Sequence, residues 1–397
     1  MSNCLNSRCR TVAAAAILSM FAVGQSMAGG VTDDRIVVGL ITDLSGPTAQ
    51  YGKESLAGMT MALEEVNAAG GVNGRKIELK VEDHGYDPRR AVLAAQKLVI
   101  QDQVFAVLGH LGTPTNMAAL PVVIDNGVFN FMPQGAAPGL YDPPSPYKVA
   151  HTPSHFDIAA SSLQWLLQQQ AYQRICVFYQ DDDYGREALQ GVTALLSSQG
   201  KEIAEQTSYK RGATDFSSQI ARLKAASCDL VYSASTLREF VGSMVEARKV
   251  GFAPAVLSGI ASYAIQAPGL GGDAMEGAYS ASFLQIPYAD DPNPAVRDWV
   301  GRYMKQFGEA PGLFAMNSYY AMRTFATIAA KTGSALTAES FAQALNEVDL
   351  PADELGNPPF DISPEHRISN DKVRVMRIEK GRWVAVSDLI APPALQH

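Results

Sequence analysis

The sequence predicts an α/β protein made of two doubly wound, parallel-sheet lobes. Three observations predict it. From residue 35 onward, short β-branched runs alternate with amphipathic helical patterns, the order that builds parallel sheets with right-handed crossovers. That order runs twice, over 35–132 and again over 174–258. The chain has 397 residues, more than one core usually spans, so two domains are expected.

The first repeat opens with a strand at 35–41 and a turn-rich loop at 42–50 containing Ser45-Gly46-Pro47. A helix over 53–69 closes at Gly70-Gly71, followed by a strand at 76–82 and a helix at 88–101 that starts on Pro88. A strand at 104–108 leads into a helix at 114–126, and a strand at 128–132 ends at Pro133-Gln134-Gly135. Thr113 is expected to cap the 114–126 helix, with Pro114 at its first position. Helix-start amides carry partial positive charge and favour an anion, and Gly109 and Gly112 let a ligand approach the backbone closely. The 109–116 stretch is therefore expected to hold the carboxylate of a small molecule. A loop at 138–146, with Pro138, Pro143, Pro144 and Pro146, ends the unit.

The second repeat reads strand 174–179, loop Asp181-Asp182-Asp183-Tyr184-Gly185, helix 186–199 and strand 202–208. Helix 215–225, with Thr214 as cap, strand 229–233, helix 236–250 and strand 255–258 complete it. The last third predicts helices at 293–308 (capped by Asn293), 314–332 and 337–346. Strands follow at 359–362, 373–378 and 383–387, the last two joined by a hairpin turn at Glu379-Lys380-Gly381-Arg382. In doubly wound sheets ligands sit outside the strands' carboxyl ends. The loops around Ser45, Gly112, Gln134 and Tyr184 are thus expected to share one cleft between the lobes.

The net charge of −8 argues against nucleic acid or an anionic membrane surface as partner. Arg8 and Arg10, an apolar run at 12–23 and Ser26-Met27-Ala28 read as a signal peptide, cut after Ala28, directing the protein to the periplasm. That apolar run is too short for a comfortable span, and no second one follows. Of four cysteines, Cys4 and Cys9 leave with the leader. Cys176 and Cys228 are read as two buried thiols acting as small apolar side chains, with pairing as the alternative in an exported protein. No metal or cofactor is expected: there is no CxxC, the six histidines lack metal-binding spacing, and Asp181 to Asp183 lack the spaced ligands of a calcium loop. His110 reads as a hydrogen-bonded structural residue. No Gly-x-Ser-x-Gly, P-loop or GxGxxG supports an enzyme.

Leu44-Ser45-Gly46-Pro47, Gln50-Tyr51-Gly52, Asn67-Ala68-Ala69-Gly70-Gly71-Val72-Asn73-Gly74, Gly109-His110-Leu111, Asp183-Tyr184-Gly185 and Thr214-Asp215-Phe216 occur together. In order and spacing they resemble the periplasmic leucine/isoleucine/valine-binding proteins, the type I solute-binding proteins of ABC importers. The resemblance covers about residues 35 to 386. It implies a clamshell with three hinge strands, near 148–152, 279–283 and 350–353. Lobe 1 would then be 29–149 plus 281–352, and lobe 2 would be 150–280 plus 353–397, with 1–28 as signal peptide and the tail strands joining the second lobe. It implies a monomer that delivers its ligand to an ABC permease and ATPase.

Carried over residue by residue, the resemblance places Tyr51 as a pocket aromatic of the first loop. Leu111, Gly112 and Thr113 match the segment that grips the ligand carboxylate, with Thr113 as hydroxyl donor. Tyr184 closes over the ligand and Phe314 is an apolar wall. Gln134, Gly135 and Ala136 form a further loop, where Ala136 replaces a hydroxyl residue of the amino-acid binders. Ile260 stands where an acid pairs with the ligand ammonium, and Thr236 where a tyrosine stands. The first-lobe disulfide of well-known members would fall at Tyr86 and Gly112 and is absent.

A buried ammonium without a carboxylate partner is costly. These departures favour a hydrophobic or aromatic carboxylate over an α-amino acid. The Gly-Thr-Pro-Thr-Asn form of 112–116 also looks like family members associated with aromatic acids. The alternatives are a true Leu/Ile/Val-binding protein and a soluble sensor subunit feeding a separate signalling receptor.

Overall fold

A computed structural model describes residues 29–395. The proposed signal peptide and its cut after Ala28 lie outside these residues. The first sheet contains β1 (Arg35–Thr42), β2 (Lys76–Asp83), β3 (Ala106–Leu108), β4 (Phe129–Phe131) and β5 (Lys148–Val149). Its order is β2-β1-β3-β4-β5 and every pairing is parallel. Residues 36–42 of β1 are all buried, as expected of a strand covered on both faces.

Its crossover helices are α1 (Ala49–Ala68), α2 (Pro88–Gln96, continued as a π turn over Lys97–Gln101) and α3 (Thr113–Ile124). The second lobe begins with α4 (His155–Gln169), which the sequence reading missed. Its start carries a recognisable signal: Ser154 accepts the Asp157 N–H as N-cap.

Then come β6 (Ile175–Gln180), α5 (Asp183–Ser198), β7 (Glu205–Tyr209), α6 (Ser217–Ala225), β8 (Leu230–Ala234) and α7 (Leu237–Lys249). They are followed by β9 (Ala255–Ser258), α8 (Ala267–Gly271) and β10 (Tyr279–Ser282). The chain then returns to the first lobe with α9 (Pro294–Phe307), α10 (Leu313–Lys331) and α11 (Ala338–Glu347). β11 (Asp349–Leu350), β12 (Phe360–Asp361), β13 (Arg374–Glu379) and β14 (Arg382–Ala385) end it.

The second sheet has order β14-β13-β10-β9-β8-β6-β7. Its core strands are parallel, and β13 and β14 extend it as an antiparallel hairpin. Lys380 and Gly381, both at positive φ, form the two-residue turn. One expected tail strand goes elsewhere: β12 pairs with β11 in a separate two-stranded ribbon.

Packing explains why the first lobe needs residues from both ends of the chain. α1 lies against α10, and Gly58 makes the close crossing possible. A β-carbon there would come within 2.0 Å of the Ala315 carbonyl oxygen. Among the described residues no helix is long and apolar enough to cross a membrane.

Two further readings are corrected. Cys176 and Cys228 are joined in a disulfide, within a small apolar cluster with Phe178, Tyr209 and Phe216. Neighbouring strand and helix ends bring their Cα atoms to 5.9 Å, so two apolar thiol positions become one crosslink. Thr214 does not cap α6: Phe216 holds the cap position, and Asp215 Oδ1 accepts the Ser217 N–H instead.

Candidate ligand-binding site

Of the 109–116 stretch, Leu111, Gly112 and Thr113 line the cleft. Gly112, not Thr113, is the cap residue of α3, with φ 91° and no side-chain bond. Glycine is required there: a β-carbon would meet Thr115 Oγ1 and Tyr86 Cε2 at 2.7 Å each. Thr113 is therefore the first helical residue, and its hydroxyl has another task. It accepts the Ala136 N–H at 3.1 Å and lies 3.0 Å from His155 Nε2. Pro114 has no amide hydrogen and the Asn116 N–H returns to the Gly112 carbonyl, so Thr113 and Thr115 carry the amides left at this helix start.

The neighbouring loop is tied down from three sides. Gln134 pairs with Leu111 through a parallel bridge. Its side-chain oxygen accepts the Ser55 hydroxyl at 2.6 Å, and its amide donates to the Phe314 carbonyl and to Ser318 Oγ. Gln134 thus presents surface to the cleft while its polar atoms hold α1 and α10.

Tyr51 on α1 stacks on Phe314 of α10, centroids 4.2 Å apart and planes at 13°. Its hydroxyl accepts the Leu237 N–H and donates to the Ala261 carbonyl, each at 2.6 Å. Both partners belong to the second lobe. Gln266 donates to Glu54 at 2.7 Å, and Gln180 donates to the Tyr86 hydroxyl at 3.3 Å, so the two lobes are shut against each other. From the second lobe, Tyr184 donates its hydroxyl to the Ser235 carbonyl and lays its ring 4.4 Å from that of His155. Thr236 donates to the buried Glu239 carboxylate behind it.

One cavity gathers these groups. Tyr51, Leu111, Gly112, Thr113, Gln134, Gly135, Ala136, Tyr184, Thr236, Ile260 and Phe314 all line it. So do Thr48, Tyr86, Thr152, His155, Ala261, Leu313 and Asn317, which sequence reasoning missed. His155 was hidden because α4 was. Tyr86 points inward from a backbone at φ 58°, a conformation that no sequence pattern announces. Between these walls lies about 540 Å³ not filled by protein atoms, part of it open to solvent, which leaves room for a small molecule.

No Asp, Glu, Lys or Arg lines the cavity. Burial pushes the His155 imidazole down to about 3, so it is neutral at ordinary pH. Burial also raises the Tyr51 phenol well above its usual range. Beside the cleft, burial lifts Glu54 to about 7, against the opposing pull of hydrogen bonds from Gln266 and Gln50. His110 is buried and its pKa is lowered by burial, so it too is neutral. Among the described residues no cluster of three or more His, Cys, Asp or Glu could hold a metal ion.

A family model described as periplasmic binding protein matches residues 35–382. The chain belongs to the periplasmic binding protein family. It is 28% identical over 329 residues to the leucine-, isoleucine-, valine-, threonine- and alanine-binding protein of Pseudomonas aeruginosa, covering 81% of this chain and 86% of that one. Among solved structures it is similar to a fatty acid ABC transporter substrate-binding protein from Thermomonospora curvata, with TM-score 0.80, 24% identity and 91% and 94% coverage. It is also similar to a solute-binding protein of an ABC transporter from Rhodopseudomonas palustris in complex with 3,4-dihydroxybenzoic acid, with TM-score 0.79, 21% identity and 91% and 98% coverage. These structures share the two-lobed type I fold.

The Tyr86 ring lies directly over Gly112, in the space a side chain at 112 would take.

Proposed function

We propose that this protein is the solute-binding component of an ABC importer of the branched-chain amino acid type, working in the periplasm. It closes on a small carboxylate-bearing hydrophobic or aromatic ligand and hands it to a membrane permease. The observation that carries the choice of ligand is the uncharged cavity wall, to which Ile260 and Ala136 contribute and in which nothing offers a carboxylate to an ammonium. A carboxylate needs only hydrogen-bond donors, and the start of α3 offers two amides and the Thr113 hydroxyl. Tyr51, Tyr184, Ile260 and Phe314 surround the body of the ligand. The fatty acid for which one similar solved structure is named and the 3,4-dihydroxybenzoic acid bound in the other share a carboxylate and lack an ammonium.

The lobes are proposed as 29–149 plus 281–352 and 150–280 plus 353–397. Supporting this, the chain leaves the first sheet after β5, returns after β10 to helices of which α10 packs on α1, and re-enters the second sheet at β13 after the β11–β12 ribbon. The work is binding without bond making: ligand settles on the first lobe, second-lobe contacts favour the closed form, and the permease reads that form. Export through a leader cut after Ala28, action as a monomer and delivery to specific permease and ATPase subunits complete the proposal.

The test is a thermal-shift screen of the mature protein against leucine, isoleucine, valine, 4-methylpentanoate, benzoate, 4-hydroxybenzoate and 3,4-dihydroxybenzoate, followed by calorimetry on the hits. A ligand that binds only the folded state raises the melting temperature. Shifts with the deaminated acids are expected. A clear shift with leucine and none with the acids would overturn the ligand class. Thr113→Val should weaken carboxylate binding by about 1–3 kcal/mol, and unchanged affinity would remove its role as a donor.

A further inference from the structure

Granting the carboxylate reading above, Thr113 can hold an anion only if its hydroxyl hydrogen faces the cleft. The oxygen has one hydrogen and two lone pairs. The Ala136 N–H occupies one lone pair, at 3.1 Å. His155 Nε2 stands 3.0 Å from the same oxygen. A bare Nε2 would take the hydroxyl hydrogen, and Thr113 would show the ligand a lone pair, which repels a carboxylate. A protonated Nε2 would take the second lone pair and leave the hydrogen for the cleft. Burial keeps this imidazole neutral, so it carries one N–H and the two arrangements exclude each other.

The surroundings fix the imidazole in place. The His155 backbone N–H donates to the Ala136 carbonyl at 2.8 Å, closing a ring of three hydrogen bonds through Thr113, Ala136 and His155. The side chain is 5% exposed, lines the cavity and packs on Tyr184. His155 opens α4 in the second lobe, whereas Thr113 opens α3 in the first. The ring therefore joins the lobes at the site itself. It also gives Ala136 a reason: the loop offers a backbone N–H and leaves room beside it for the ring.

We propose that His155 is a positioning residue which carries its proton on Nε2, turns the Thr113 hydroxyl hydrogen into the cleft, and so makes the site specific for a carboxylate over an uncharged amide. The first test needs no ligand. Nitrogen-15 NMR of histidine-labelled protein, with the His155 signals assigned by their loss in His155→Gln, reads which ring nitrogen holds the hydrogen. Protonated Nε2 is expected, and an Nδ1–H imidazole overturns the proposal whatever the ligand proves to be.

The second test compares 4-hydroxybenzoate with 4-hydroxybenzamide by calorimetry. In His155→Phe the preference for the acid should fall about tenfold, while His155→Gln, whose amide can donate from the same place, should keep it within about threefold. An unchanged preference in a folded His155→Phe also overturns it. If the phenylalanine variant does not fold, the glutamine variant and the NMR reading still decide. Failure of the parent protein to bind either probe counts against the ligand class proposed above, and the tautomer measurement still stands for His155.

Discussion

Tyr51→Phe isolates the hydroxyl that closes the clamshell. The ring should stay, because its stacking on Phe314 does not involve the oxygen. What disappears is the acceptor for the Leu237 N–H and the donor to the Ala261 carbonyl, two bonds of 2.6 Å across the cleft. In the closed form both backbone groups would be left unpaired out of water, at about 1–3 kcal/mol each. In an open form water can pair with both, so the loss falls on closure. Taking the lower part of that range for the sum, about 2–3 kcal/mol, ligand affinity should drop roughly 30- to 150-fold. Calorimetry with the tightest acid of the screen measures it. Small-angle scattering of the free protein should show a more open average shape. An affinity within about twofold of the parent, with folding intact, would refute the view that Tyr51 latches the lobes.

Three other outcomes follow from the same contacts. Replacing Cys176 and Cys228 together by serine frees a loop of 52 residues and should cost about 4 kcal/mol in chemical denaturation, with ligand affinity unchanged because the pair lies apart from the cleft; a change in affinity would contradict that separation. Glu54 is held above its usual pKa of 4.5, at about 7, so the folded state keeps its proton more tightly than the unfolded chain. Its contribution to folding stability should accordingly be fullest in acid and fall by up to about 3 kcal/mol as pH rises through that window; Glu54→Gln should remove that part of the pH dependence, and parallel pH curves for the two proteins would refute the assignment. Ile260→Glu places a carboxylate in the cavity wall and should shift preference from the deaminated acids toward leucine in the same calorimetric comparison, an outcome that an unchanged ranking would deny.

Much of the fold was legible because each repeat obeys its local period. β1, buried from Ile36 onward, reads as a β-branched run, and Asn293 with Pro294 announces α9. The positions that line the cavity were legible through the resemblance, since a loop at a strand end keeps its place in a doubly wound sheet. What escaped were facts made by tertiary contact. Thr113 has the sequence of a cap, yet the Gly112 backbone takes that place and frees the hydroxyl for Ala136 and His155. Cys176 and Cys228 look like core thiols until strand β6 and the turn before β8 bring them together. β12 has strand composition, and only the position of β11 decides its partner. The inward turn of Tyr86 depends on a positive φ that tyrosine seldom adopts.

The close crossing at Gly58 has a consequence for the order in which the chain is made. Five strands and three crossover helices of the first lobe are complete by residue 149, but the face of α1 that Gly58 opens stays bare until α10 arrives at 313–331. The second sheet waits longer, since its hairpin edge is β13 and β14. A chain emerging from its N-terminus therefore cannot finish either lobe early, and its contacts of greatest sequence separation form last. Any process that needs the chain unfolded therefore has until its last residues are made.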